Sequence, residues 1–129
     1  MPLARVLIVD DEHTIAETLA EIISSSGYEA TVAYSGEEAA RKAAVGCPDI
    51  LLTDVLMPGM NGFELALKVK RSCPRCRLLL FSGQAATALL AQQFADTFTR
   101  LEYRFELLPK PLHPTALLKK LEQILIQAV

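Results

Sequence analysis

Short apolar runs alternate with amphipathic stretches along the whole chain. Val6-Leu7-Ile8-Val9 is wholly apolar, largely β-branched, and stops at Asp10-Asp11. Unbroken apolarity over that length predicts a strand covered on both faces, as in a parallel sheet. From Thr14 to Ser25, Ile15, Leu19, Ile22 and Ile23 recur at helical spacing, and Gly27 ends the helix. Glu29–Tyr34 reads as a second strand. Ser35 is a good N-cap for the Ala-rich helix that runs to Gly46, with Glu37 and Glu38 well placed in its first turn. Asp49–Val55 is a third strand, built on Ile50-Leu51-Leu52, and Met57–Gly62 carries the Pro, Gly and Asn-Gly signals of a loop.

The same alternation continues to the end of the chain. A helix from Phe63 to about Arg71 stops before Pro74, and Arg77–Phe81 is a fourth strand. Ala85–Phe98 reads as a fourth helix and Phe105–Leu108 as a fifth strand. His113-Pro114 opens the last helix, with proline where its missing N–H costs little. Leu117, Leu118, Leu121, Ile124 and Leu125 form the buried stripe of that helix, and its tail from Ile126 to Val129 fits either an interface or a cut end. Five strand–helix alternations imply right-handed crossovers and a parallel sheet between two helical layers. The prediction is one doubly wound α/β domain over residues 1–129, a flavodoxin-like (βα)5 fold with strand order 2-1-3-4-5.

Composition narrows the class without changing this picture. With 51% hydrophobic and 22% charged residues, the chain has ample material for a packed core. Its net charge of −2 gives no electrostatic case for direct nucleic-acid binding. No apolar run is long enough to cross a bilayer, and Arg5 followed by an acidic pair does not fit a signal peptide. Cys47, Cys73 and Cys76 are an odd count, which excludes a complete disulfide framework and points to a reducing, cytoplasmic setting. Cys73-Pro-Arg-Cys76 has redox or metal-ligand spacing. Neither His13 nor His113 is near it in sequence to complete a zinc site, so ordinary thiols bounding a loop are expected.

The chemistry gathers at the strand ends. In an open α/β sheet, ligands bind beyond the carboxyl ends of the strands. Asp10 and Asp11 follow the first strand, Asp54 ends the third, Ser82 follows the fourth and Lys110 the fifth. With strands one and three adjacent, three carboxylates converge and repel one another. A hard divalent cation is the simplest compensation, and Mg²⁺ suits carboxylates, waters and a phosphoryl oxygen. A carboxylate nucleophile, a metal, a lysine and a hydroxyl are the parts needed for phosphoryl transfer to aspartate. Any of these residues alone has a structural explanation: a helix cap, a turn, a solvated lysine. Glu12, His13 and His113 read as helix-start residues.

The motifs "VLIVDDE" (6–12), "DILLTDVLMPGMNGFEL" (49–65), "LLLFSG" (78–83) and "LLPKPLHP" (107–114) together resemble the receiver domain of two-component response regulators. The resemblance covers essentially the whole chain. It implies that Asp54 is the phosphoacceptor, and that Asp10, Asp11, Asp54 and the backbone carbonyl of Leu56 hold Mg²⁺. It further implies that Ser82 hydrogen-bonds the phosphoryl group, that Lys110 pairs with it, and that the Lys110–Pro111 bond is cis. The implied partners are a sensor histidine kinase or phosphotransfer protein as donor and a downstream protein as target, with a homodimer also possible. The family often places a switch aromatic three residues before the lysine. Here that position is Leu107, and Phe105 faces the same side of the strand. Thr99–Arg104 also lacks the Gly-rich turn common before this strand. A pseudo-receiver that binds proteins without phosphorylation is the alternative. A phosphohydrolase would need a further acid or base, which Leu56 and Gln84 do not offer. A stand-alone receiver and a piece of a longer regulator or hybrid kinase fit the sequence equally.

Overall fold

The computed structural model describes residues 2–83 and 86–126. The elements alternate as β1 (Arg5–Val9), α1 (His13–Ser25), β2 (Glu29–Ala33), α2 (Gly36–Val45), β3 (Ile50–Asp54), α3 (Gly62–Ser72), β4 (Arg77–Ser82), α4 (Ala86–Arg100), β5 (Phe105–Pro109) and α5 (Pro114–Ile126). All strand pairs are parallel, in the order β2-β1-β3-β4-β5. This is the predicted fold and strand order. The expected helix start at Ala85 and the tail residues 127–129 lie outside the described residues.

Alternation along the strands splits the core in two. Leu7, Val9, Leu51, Leu78 and Leu80 pack on one face, under Ala39 and Ala43 of α2, Phe63 and Val69 of α3 and Phe98 of α4. Val6, Ile8, Ile50, Leu52, Leu79 and Phe81 pack on the other, against Leu19 and Ile23 of α1 and Leu117, Leu121 and Ile124 of α5. Every residue of β3 is buried, which is why that strand opens on the unbroken apolar run Ile50-Leu51-Leu52. No helix among the described residues is long and apolar enough to cross a membrane.

The helix ends follow local chemistry. Ser35 caps α2 by accepting from the Glu38 N–H at 3.1 Å. The Glu38 carboxylate in turn accepts from the Tyr34 N–H at 2.7 Å, so Tyr34 leaves the sheet and β2 stops at Ala33, one residue earlier than predicted. Asn61 and Glu64 form a reciprocal capping box that opens α3 directly after the loop following β3. α1 closes with Gly27 at φ +98°, where the Gly27 N–H donates to Ser24 O and the Tyr28 N–H to Ile23 O. α4 closes by the same pattern, Glu102 to Thr99 and Tyr103 to Phe98, but with Glu102 at φ +59° where a glycine would be expected. The missing Gly-rich turn is thus replaced by a strained glutamate, and the Tyr103 ring rests edge-on against Phe98.

The cysteines depart from the sequence expectation. Cys47 and Cys73 form a disulfide, and only Cys76 remains a free, buried thiol among the described residues. An odd count permits one bridge and one spare thiol. Residues 26 apart in sequence meet because α2 and α3 lie side by side on one face of the sheet, and spacing alone could not show that.

Candidate functional site

Four of the five strands deliver a polar group to the carboxyl edge of the sheet. Asp10 follows β1 directly, Asp54 is the last residue of β3, Ser82 the last of β4, and Lys110 follows β5. Because β1 and β3 are paired in register, Val9 with Thr53, the two aspartates project from adjacent strands. Carboxylate oxygens of Asp10, Asp11 and Asp54 lie within 4.8 Å of one another. Asp10 and Asp54 are buried and Asp11 is exposed.

Burial makes the carboxyls of Asp10 and Asp54 reluctant anions. Burial is the main cause that pushes Asp10 up to about 6, and the neighbouring charge of Asp54 adds to it. The Glu12 N–H, which donates to Asp10 Oδ1 at 3.0 Å, and Lys110 oppose the rise. Asp54 is also raised by burial, which outweighs the hydrogen bond and charge of Lys110 and the N–H groups of Leu56 and Val55. Asp10 Oδ2 is buried without a hydrogen-bond partner. An orphaned anionic oxygen costs folding energy, and here it belongs to an all-oxygen cluster of the kind that suits a hard divalent cation such as Mg²⁺.

Lys110 reaches back over the sheet edge. Its Nζ lies 3.1 Å from Asp54 Oδ2 and 5.2 Å from the centre of the Phe81 ring, which forms the floor beneath it. The Lys110 N–H donates to Ser82 O at 2.9 Å, and a Cβ on Gly83 would stand 3.0 Å from Lys110 Cβ. This holds the β4 and β5 ends tightly together. The Lys110–Pro111 peptide is cis. The Ser82 hydroxyl donates to Thr87 Oγ1, and Thr87 is buried in the first turn of α4.

Gly62 makes close approach possible on the other side of the site. Its N–H donates to Val55 O at 2.8 Å. A Cβ at this position would run into Asp54 O and stand 2.9 Å from Val55 Cα, so α3 can start against the end of β3 only with glycine here.

The structure brings Asp10, Asp11, Asp54 and Lys110 into one cluster and sets Ser82 on the next strand end. Leu56 lies in the same loop, with its N–H on the Asp54 carboxylate. Glu12 and His13 stand at the start of α1, His13 stacked on Tyr34, and the His113 carbonyl accepts from the Leu117 N–H at the start of α5. Leu107 is 44% exposed on β5, whereas the Phe105 ring is packed against Phe63 and Phe98 in the core. The half-buried Phe105 ring is therefore engaged with Phe63 and Phe98, while Leu107 is the more exposed of the two. Sequence reasoning missed Thr87 and the Phe81 floor. The five-residue step from Ser82 to Thr87, one strand end to one helix turn, was the available signal. A cavity of about 900 Å³ between Lys70, Arg77, Glu102, Phe105 and Leu125 lies near the amino ends of β4 and β5, away from the acidic cluster, Ser82 and Lys110.

Comparison with known proteins agrees with this geometry. Residues 6–122 match the model of the response regulator receiver domain. The chain is 39% identical over 110 residues to a response regulator receiver protein of an Anaeromyxobacter species, covering 84% of this chain and 43% of that protein. The chain thus spans less than half the length of that relative. It is 29% identical over 124 residues to the response regulator receiver protein CpdR of Brucella abortus, covering 96% of this chain and 98% of that one. A solved CheY-like receiver domain from Methanospirillum hungatei superposes with a TM-score of 0.83 at 26% identity, covering 97% of this chain and 95% of the other.

Proposed function

The chain belongs to the response regulator receiver domain family, and from that premise we propose that Asp54 accepts a phosphoryl group and that residues 1–129 act as one phosphorylation switch. The observation that carries this reading is the Asp54 carboxylate, buried, ion-paired to Lys110 and set within 4.8 Å of Asp10 and Asp11. An aspartate serving only as a helix cap or solvated loop residue needs none of those neighbours.

The expected donor is a phosphohistidine on a sensor kinase or phosphotransfer protein. An Asp54 carboxylate oxygen attacks phosphorus, the P–N bond breaks, the P–O bond forms, and the departing imidazole nitrogen takes up a proton. Asp10, Asp11, Asp54 and the Leu56 carbonyl would hold Mg²⁺, which when bound supplies positive charge to offset the clustered carboxylates and the incoming phosphoryl oxygens. Lys110 already contacts the carboxylate that would be modified, so a small shift carries its ammonium to a phosphoryl oxygen. Ser82 would exchange its hydrogen bond to Thr87 for one to the phosphoryl group, which frees Thr87 and the first turn of α4 to repack. The added charge thereby biases the packing of α4 and β5, and a downstream protein reads the altered face. No soluble substrate is turned over; hydrolysis of the acyl phosphate ends the signal. A homodimer through the same face would be one form of output.

Intact-mass spectrometry after incubation with acetyl phosphate, with and without Mg²⁺, tests this. A single phosphoryl adduct that needs Mg²⁺ and is lost in Asp54→Ala is expected. Absence of any adduct under all conditions would sink the phosphoacceptor reading and favour a protein-binding pseudo-receiver.

A further inference from the structure

We propose that Cys47 and Cys73 are a reversible thiol–disulfide pair, opened by a dithiol reductant at Cys47, that staples the segment carrying β3 and α3. The pair lies outside the acidic site and does not depend on Asp54 taking a phosphoryl group. Gly46 caps α2 and Cys73 caps α3, so the bond joins the trailing ends of two helices packed side by side. The chain between the two cysteines contains all of β3, the loop after Asp54 and all of α3. One covalent link therefore closes the segment at the pole opposite the acidic cluster.

Three features fit a reversible pair better than a permanent brace. Cys47 is exposed while Cys73 is buried, so an external thiolate has one sulfur to attack and the other is sheltered as leaving group. The reduced state is also provided for. Ser72 O lies 3.7 Å from Cys47 Sγ and Ala43 O lies 3.6 Å from Cys73 Sγ, so each thiol finds a carbonyl acceptor in place once the bond opens. Third, the neighbouring Cys76 cannot scramble the pair. It is buried, its sulfur rests 3.5 Å from Arg77 O, and burial pushes its thiol up to about 12, which leaves almost no thiolate to attack.

The exchange balances as two thiol–disulfide steps. A thiolate of the dithiol attacks Cys47 Sγ, the Cys47–Cys73 bond breaks, and Cys73 leaves as thiolate and takes up a proton. The second sulfur of the reductant, as thiolate, then attacks the reductant sulfur bonded to Cys47, closing the reductant's own disulfide and releasing Cys47 as a thiolate that takes up a proton, so two electrons pass from reductant to protein. Glutathione disulfide reverses the process, with Cys47 and Cys73 returning the electron pair and two glutathiones released.

The test uses the full chain in native buffer. The oxidised protein is exposed to dithiothreitol, then to glutathione disulfide, with samples blocked by iodoacetamide and mapped by mass spectrometry. Labels on Cys47 and Cys73 are expected to appear together, to disappear together on reoxidation, and to leave Cys76 unlabelled until denaturant is added. Reduction should lower Tm by about 10 °C, from the freeing of a loop closed over a separation of 26 residues. Cys47→Ser should be insensitive to dithiol and Cys76→Ser should behave like the parent. Cysteines 47 and 73 that resist dithiol until the protein unfolds, fail to reoxidise, or exchange with Cys76 would overturn the proposal.

Discussion

Replacing Asp10 with asparagine should stabilise this protein, and should do so only where the carboxyl would be charged. Asp10 is fully buried, its Oδ2 has no partner, and its pKa is pushed up from 3.8 to about 6. At roughly 1.4 kcal/mol per pH unit, that rise means about 3 kcal/mol lost from the folded state once the group is ionised. The sign follows from proton binding. Between pH 4 and 6 the folded chain holds the Asp10 proton and the unfolded chain has released it, so the parent loses stability as pH rises through that window. Asparagine keeps the oxygen that accepts from the Glu12 N–H and places an amide where the orphaned oxygen stood. Part of the gain is forfeited if that amide is imperfectly paired, which leaves about 2 kcal/mol. Urea unfolding in the presence of a chelator, from pH 3.5 to 8, measures it. The variant's midpoint should match the parent near pH 3.5 and exceed it by about 1 M at pH 7.5. A variant that is equal or weaker at pH 7.5, or a difference that does not change with pH, would show that the Asp10 charge is already compensated within the fold.

Two further substitutions test the backbone around the site. Gly62→Ala forces a methyl group against Asp54 O and Val55 Cα, both backbone, and should cost about 2–3 kcal/mol in urea unfolding; a loss under 0.5 kcal/mol would mean that α3 can shift away from β3 freely. Glu102→Gly relieves a side chain held at φ +59°, a conformation that costs a non-glycine residue about 1–2 kcal/mol, and glycine's extra freedom in the unfolded chain returns part of that. Calorimetry should find Tm raised by about 2–4 °C, and a lowered Tm would indicate that the Glu102 side chain makes a stabilising contact stronger than the strain.

The sequence by itself determined the fold class, the strand order and the identity of the clustered polar groups. It could do so because a doubly covered parallel strand must be apolar throughout, as Ile50-Leu51-Leu52 is, and because such strands expose function only where they end. Asp10, Asp54, Ser82 and Lys110 were legible as strand-end residues, and Ser35 as a cap, since each depends on neighbours a few positions away. What depended on distant packing was not legible. Whether Phe105 could stand in for an aromatic at Leu107 was decided by Phe63 and Phe98, which engage its ring. That Ser82 meets Thr87, and that Phe81 lies under Lys110, depends on where α4 and β5 settle on the sheet. The pairing of Cys47 with Cys73 rather than with nothing depends on α2 and α3 lying side by side. Local pattern records which face of each element is buried, while the contacts made across those faces exist only once the layers have packed.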